Sequence, residues 1–72
     1  MIENVEISGS QSIKLDQFLK WVGEADTGGI AKLMIKEGLV RVNGDLILTR
    51  GRILQEGDIV ETENNKYKIS YT

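Results

Sequence analysis

Ala31-Lys-Leu-Met-Ile-Lys-Glu-Gly38-Leu-Val-Arg-Val-Asn43-Gly44 is the stretch whose reading decides the fold of this chain. Apolar residues recur at helical spacing as far as Ile35, and Gly38 follows at once, the residue type that closes a helix by turning left-handed at low steric cost. Beyond it Val40 and Val42 alternate with Leu39, Arg41 and Asn43, the period of a β-strand with two unlike faces. Asn43-Gly44 then supplies the two positive φ angles of a tight hairpin turn. Helix, stop, strand and turn follow one another, and Arg41 projects away from the valine face.

Working upstream, the second helix runs from about Gly28 to Glu37. At 100° per residue Ile30, Ala31, Leu33, Met34 and Ile35 share one broad face, with Lys32 and Lys36 together on the other. A first helix spans Ile13 to Val22, because Leu15, Phe18, Leu19 and Val22 fall at i, i+3, i+4 and i+7, with Ser12 as its N-cap. Asp16 in its first turn meets the helix dipole favourably. Ile2 to Ser8 reads as an N-terminal strand broken at Gly9-Ser10. Downstream, strands are expected near Leu39–Val42, Leu46–Leu48, Ile59–Glu63 and Lys66–Tyr71, with Gly57-Asp58 a turn before Ile59 and Asn64-Asn65 joining the last two. This is an α/β chain of the α+β kind: residues 1–72 form a single domain, two packed helices against a small, mainly antiparallel sheet.

Composition excludes several classes of function. Seventy-two residues make one domain with a small core, and the absence of Cys removes disulfides and thiolate metal sites. His is absent too, which takes away the commonest metal ligand and the side chain best suited to proton transfer near neutral pH. Both absences point away from an enzyme, and no cofactor is implied. No apolar run approaches the ~20 residues needed to span a bilayer, and Met1-Ile2-Glu3-Asn4 lacks the basic opening of a signal peptide. The expected location is the cytoplasm. The net charge of −2 is unevenly distributed: residues 14–52 hold seven basic against five acidic side chains, whereas the flanks hold two against six. A basic centre can bind a polyanion despite the total, since the local field governs approach.

Taken together, these residues resemble the S4 RNA-binding domain family. The matching positions are Lys14-Leu15-Asp16-x-x-Leu19, then Ala31, Met34, Ile35, Gly38, Val40, Val42, Asn43 and Gly44, then Leu54-x-x-Gly57-Asp58, so the resemblance covers Ile13 to Val60. In length the chain is similar to the small stand-alone bacterial S4 proteins. The resemblance implies an S4-like fold and a protein that docks structured RNA, with ribosomal RNA or a ribosome assembly intermediate as the first partner and transfer RNA as the next. It also implies that helix two faces RNA, so that Lys32 and Lys36 contact phosphate rather than simply forming a solvated face, and it makes Lys14 the matching basic position of helix one.

Other candidates come from residue chemistry. Arg50 and Arg52 flank Gly51, and guanidinium groups in a loop can fork onto phosphate or stack on bases. Arg41, Lys32 and Lys14 are expected on the same side, with Gln17, Thr27 and Asn43 adding polar contacts. Asp26-Thr27-Gly28-Gly29 stands where many S4 domains carry Ser-Arg; its glycines either let backbone N–H groups approach a phosphate or form a plain turn capped by Asp26 or Thr27. Trp21 shares a shoulder with Lys14 and Gln17, and a lone Trp in so small a domain is expected to cover the core edge rather than stack on a base. Two other classes remain open. One is a protein-interaction module using the acidic flank of Glu56, Asp58, Glu61 and Glu63; the other is the RNA-binding subunit of a separate RNA-modifying enzyme.

Overall fold

The computed structural model describes residues 2–8, 12–49 and 51–72. Its elements are β1 (Ile2–Ile7), α1 (Leu15–Trp21), α2 (Gly28–Lys36), β2 (Arg41–Val42), β3 (Asp45–Leu46), β4 (Ile59–Glu61) and β5 (Lys66–Tyr71). Among the described residues the strands form one sheet in the order β1-β5-β4-β2-β3. Three of its pairings are antiparallel. The fourth and longest, β1 with β5, is parallel and runs from Ile2 opposite Lys66 to Ile7 opposite Tyr71, so the sheet is mixed.

The deciding stretch folds as its local chemistry requires. Gly38 adopts φ 75°, its N–H reaches the Ile35 carbonyl at 3.1 Å, and the Leu39 N–H returns to Met34 at the same distance. This pair of bonds satisfies the last helical carbonyls and turns the chain sharply into β2. Asn43 and Gly44 have φ 54° and 86°, the signs that the two-residue hairpin between β2 and β3 demands.

Helix one is shorter than its apolar stripe. Ile13 and Lys14 are extended because they bridge to Ile53: the Leu54 N–H donates to the Ile13 carbonyl at 2.9 Å and the Leu15 N–H to the Arg52 carbonyl at 2.8 Å. Lys14 therefore takes the N-cap position in place of Ser12. Strands β2 and β4 are likewise trimmed relative to the expected runs, β3 is shortened and begins one residue earlier than expected, and β5 has the expected bounds.

The helices cover one sheet face. Leu15, Phe18, Leu19, Ala31 and Ile35 from the helices meet Val42, Val60, Tyr67 and Ile69 from the strands, all buried, and Phe18 stands edge-on to Tyr67 with ring centroids 5.7 Å apart. The apolar stripe of α2 is narrower than expected. Ala31 and Ile35 are buried and Met34 half-buried, but Ile30 and Leu33 are 42% and 54% exposed. One short helix laid on one neighbour layer can hide a stripe but not the whole apolar arc.

Candidate functional site

Sheet register decides which charges share a surface. Arg41 is cross-strand neighbour to Glu61, which in turn faces Lys66, while their neighbours Val42, Val60 and Tyr67 point into the core beneath the helices. Arg41 thus lies on the sheet's outer face, opposite the helices, with its Nη1 3.4 Å from the Gly44 carbonyl. It lines neither the cleft that holds Arg52 nor the hollow beside Lys32 and Lys36, although its cross-strand partner Leu46 lines the first of them.

Near α2, two adjoining hollows hold three cations, and a fourth is bridged to their wall. The Lys14–Ile53 bridge sets Lys14 beside Ile53. Arg52 and Ile53 line a cleft of about 500 Å³ together with Leu46, Leu48, Thr49 and Gln55. Leu48 and Thr49 also border a shallower hollow of about 340 Å³ whose other wall is Lys32, Ile35 and Lys36. One surface therefore runs from Lys14 past Arg52 and the Leu48-Thr49 segment to Lys32 and Lys36. Lys14, Lys32 and Lys36 are exposed and Arg52 is half-buried. Arg50 lies outside the described residues.

Behind this surface sits a polar latch. Asn43 Nδ2 donates to Asp58 Oδ1 at 2.9 Å, the Ile59 N–H donates to Asn43 Oδ1 at 2.9 Å, and the Gln55 N–H donates to Asp58 Oδ2 at 2.8 Å. Asp58 is only 9% exposed, and Arg52 Nη2 lies 4.0 Å from its Oδ2. Both ends of the Asn43 amide are therefore hydrogen-bonded within the fold, although the residue itself is exposed. Arg52 is in part an ion-pair partner; its Nε is buried and has no hydrogen-bond partner among the described residues. Asp58, which read as a plain turn residue, is the acceptor that joins the hairpin to the Gln55–Ile59 loop.

Other expected contacts are also engaged locally. Gln17 Oε1 accepts the Lys14 N–H at 3.3 Å, one half of a capping box. Thr27 is the N-cap of α2 and its Oγ1 accepts the Ile30 N–H at 3.2 Å, which settles the choice between Asp26 and Thr27. A Cβ at Gly28 would meet nothing within 4 Å, so the start of α2 is open to solvent. Within the acidic flank Asp58 is buried, Glu56 Oε1 accepts the Tyr71 N–H at 2.7 Å and Glu61 lies between Arg41 and Lys66, while Glu63 is exposed.

Trp21 reverses its expectation. It is 59% exposed, on the shoulder it shares with Lys14 and Gln17, because Phe18 and Leu19 already fill the space between the helices and the sheet. The sequence reading also missed the exposed aliphatic cluster of Leu46, Leu48 and Ile53, at 46%, 62% and 52%. A signal was present: three consecutive apolar residues, Leu46-Ile47-Leu48, cannot all point to one side of an extended chain.

At the far end of the core, Tyr67 and Asn65 donate to Glu24 Oε2 at 2.5 and 2.8 Å, tying the loop after α1 to the β4–β5 turn. Burial by itself would raise the Glu24 pKa, but the hydrogen bonds outweigh it and hold the carboxyl below its ordinary 4.5. Burial, the bond to Glu24 and the negative charges of Glu24 and Glu3 push the Tyr67 hydroxyl up to about 12. Among the described residues no group of three or more His, Cys, Asp or Glu side chains is placed to hold a metal ion, and no helix is long and apolar enough to cross a membrane.

Two helices on one face of a small mixed sheet, with the glycine-stopped second helix leading into the Asn43-Gly44 hairpin, define the class. Residues 5–70 match the family model of the S4 domain, and the chain belongs to that family. Over 54 residues, 75% of this chain and 76% of the relative, it is 43% identical to a Bacillus subtilis (strain 168) protein described as the probable ribosome maturation protein RlbA.

Proposed function

We propose that this protein is a cytoplasmic binding module that docks structured RNA, with ribosomal RNA or a ribosome assembly intermediate as its partner and transfer RNA as the next choice. One observation carries the reading: Arg52 lines one hollow and Lys32 and Lys36 the next, the two joined through Leu48 and Thr49, and Lys14 is bridged to Ile53 in the wall of the first. Cations on a rigid frame neutralise phosphates at fixed spacing, which gives position and register without base readout. Family membership and the ribosome-maturation description of the Bacillus relative agree with this choice.

Four phosphate contacts at ~0.7–0.9 released counterions each give a slope of log affinity against log salt of about −3. Titrating fragments of ribosomal RNA at several salt concentrations measures it. A slope near zero, or equal affinity for duplex DNA of the same length, would overturn the reading, because a shaped RNA surface should be preferred through its grooves and 2′-hydroxyls.

A further inference from the structure

We propose that the cleft between Leu46, Leu48 and Ile53 seats one unpaired nucleobase of the bound RNA; this rests on the RNA-binding reading above. Three large aliphatic side chains, each about half exposed, surround one open hollow of about 500 Å³. An isolated exposed leucine needs no explanation, whereas three around a single cleft form a surface that favours an apolar occupant.

The polar groups narrow the choice. Thr49 and Gln55 line the cleft with groups that both donate and accept hydrogen bonds, suited to the edge of a base. Arg52 enters the same cleft; Asp58 sits 4.0 Å behind its Nη2, and its Nε has no partner among the described residues. Across Leu48 and Thr49 lie Lys32 and Lys36. The occupant must therefore join an apolar body with hydrogen-bonding edges to a nearby negative charge. A free phosphate would leave the leucines exposed, and an aliphatic peptide would leave the cations unmatched. A nucleotide satisfies both, and only one outside a helix has its faces free to pack against side chains. Charge complementarity thus selects an RNA bulge or loop over a protein segment.

The test uses two hairpin RNAs with equal numbers of phosphates, one fully paired and one carrying a single bulged 2-aminopurine. The intact protein is compared with the L48S/I53S double variant, whose altered side chains are exposed and whose folding is checked by circular dichroism. Wild type should bind the bulged RNA about tenfold tighter, the scale expected when roughly 50–60 Å² of apolar surface leaves water, with a change in 2-aminopurine fluorescence. The double variant should lose the preference and the fluorescence change while keeping its affinity for paired RNA and its salt slope. Equal affinity of wild type for the two RNAs, or an unchanged preference in the variant, overturns the nucleobase seat while leaving RNA binding in place. Loss of binding to ribosomal particles but not to either RNA would assign the cleft to a protein partner and equally overturn it. Failure to bind any RNA removes the underlying reading as well.

Discussion

The Asn43–Asp58 latch yields the sharpest energetic prediction, through a double-mutant cycle of Asn43→Gly and Asp58→Ala. Glycine is chosen at position 43 because the φ of 54° would strain a residue with a Cβ. The shared bond, 2.9 Å from an amide to a carboxylate in a part-buried setting, should contribute about 1.5–2 kcal/mol. Asn43→Gly also loses the bond from the Ile59 N–H, near the surface, and adds glycine's unfolded-state entropy, for a total of about 3 kcal/mol. Asp58→Ala loses the bond from the Gln55 N–H and the long Arg52 contact, worth under ~1 kcal/mol because Arg52 is 38% exposed, again for about 3–4 kcal/mol.

Because the shared bond is lost only once, the double variant should fall short of the sum by about 1.5–2 kcal/mol. Urea unfolding followed by circular dichroism measures each corner. With a slope of roughly 1 kcal/mol per molar for so small a domain, each single change should move the midpoint by about 3 M. Total stability of roughly 4–11 kcal/mol at this length leaves the single variants measurable, and the milder Asp58→Asn, which turns a donor toward the Gln55 N–H, provides a fallback costing about 2 kcal/mol. A coupling energy below about 0.5 kcal/mol would refute the latch and return Asn43 to the list of free polar contacts.

Three further outcomes are expected. Because the Glu24 pKa is lower in the folded state than unfolded, the unfolded chain binds more protons in acid, so stability should fall as pH drops below about 4.5; because Tyr67 is raised to about 12, stability should also fall as pH rises above 10, and Tyr67→Phe should flatten both limbs in pH-resolved thermal melts. Reversing Lys32 and Lys36 to Glu should abolish binding to ribosomal RNA fragments, while the same reversal at Lys66 and Lys68, on the opposite sheet face, should cost far less because screening over ~8–10 Å weakens distant charges; equal losses measured by filter binding would mean that only net charge matters. Trp21→Ala should change stability by no more than ~0.5 kcal/mol, as for other surface substitutions, and a larger loss on thermal unfolding would show that its ring packs after all.

Local backbone sterics were legible directly in the residues. Gly38 turns left-handed at the end of α2, Asn43-Gly44 takes two positive φ angles, and β5 runs from Lys66 to Tyr71, because each outcome depends on a few adjacent residues; the cap of α2 was legible only as Asp26 or Thr27. The motif order from Ile13 to Val60 likewise specified the S4 class, since those same turns and stops are what the family shares. Longer-range outcomes were not legible. β1 pairs in parallel with β5 across more than sixty positions, a choice made by packing rather than by either strand's own pattern. Only the assembled layers determine which apolar side chains stay outside: Ile30, Leu33, Trp21 and Leu48 all carry core-like chemistry, yet a domain of 72 residues has too little interior to take them. The same assembly pairs Arg41 with Glu61, draws Asn43 into a latch with Asp58, bridges Lys14 to Ile53, and sets Arg52, Lys32 and Lys36 around adjoining hollows. Sequence spacing orders neighbours along one helix or strand, such as Lys32 and Lys36, whereas a site drawn from three places in the chain exists only once tertiary contacts bring those places together.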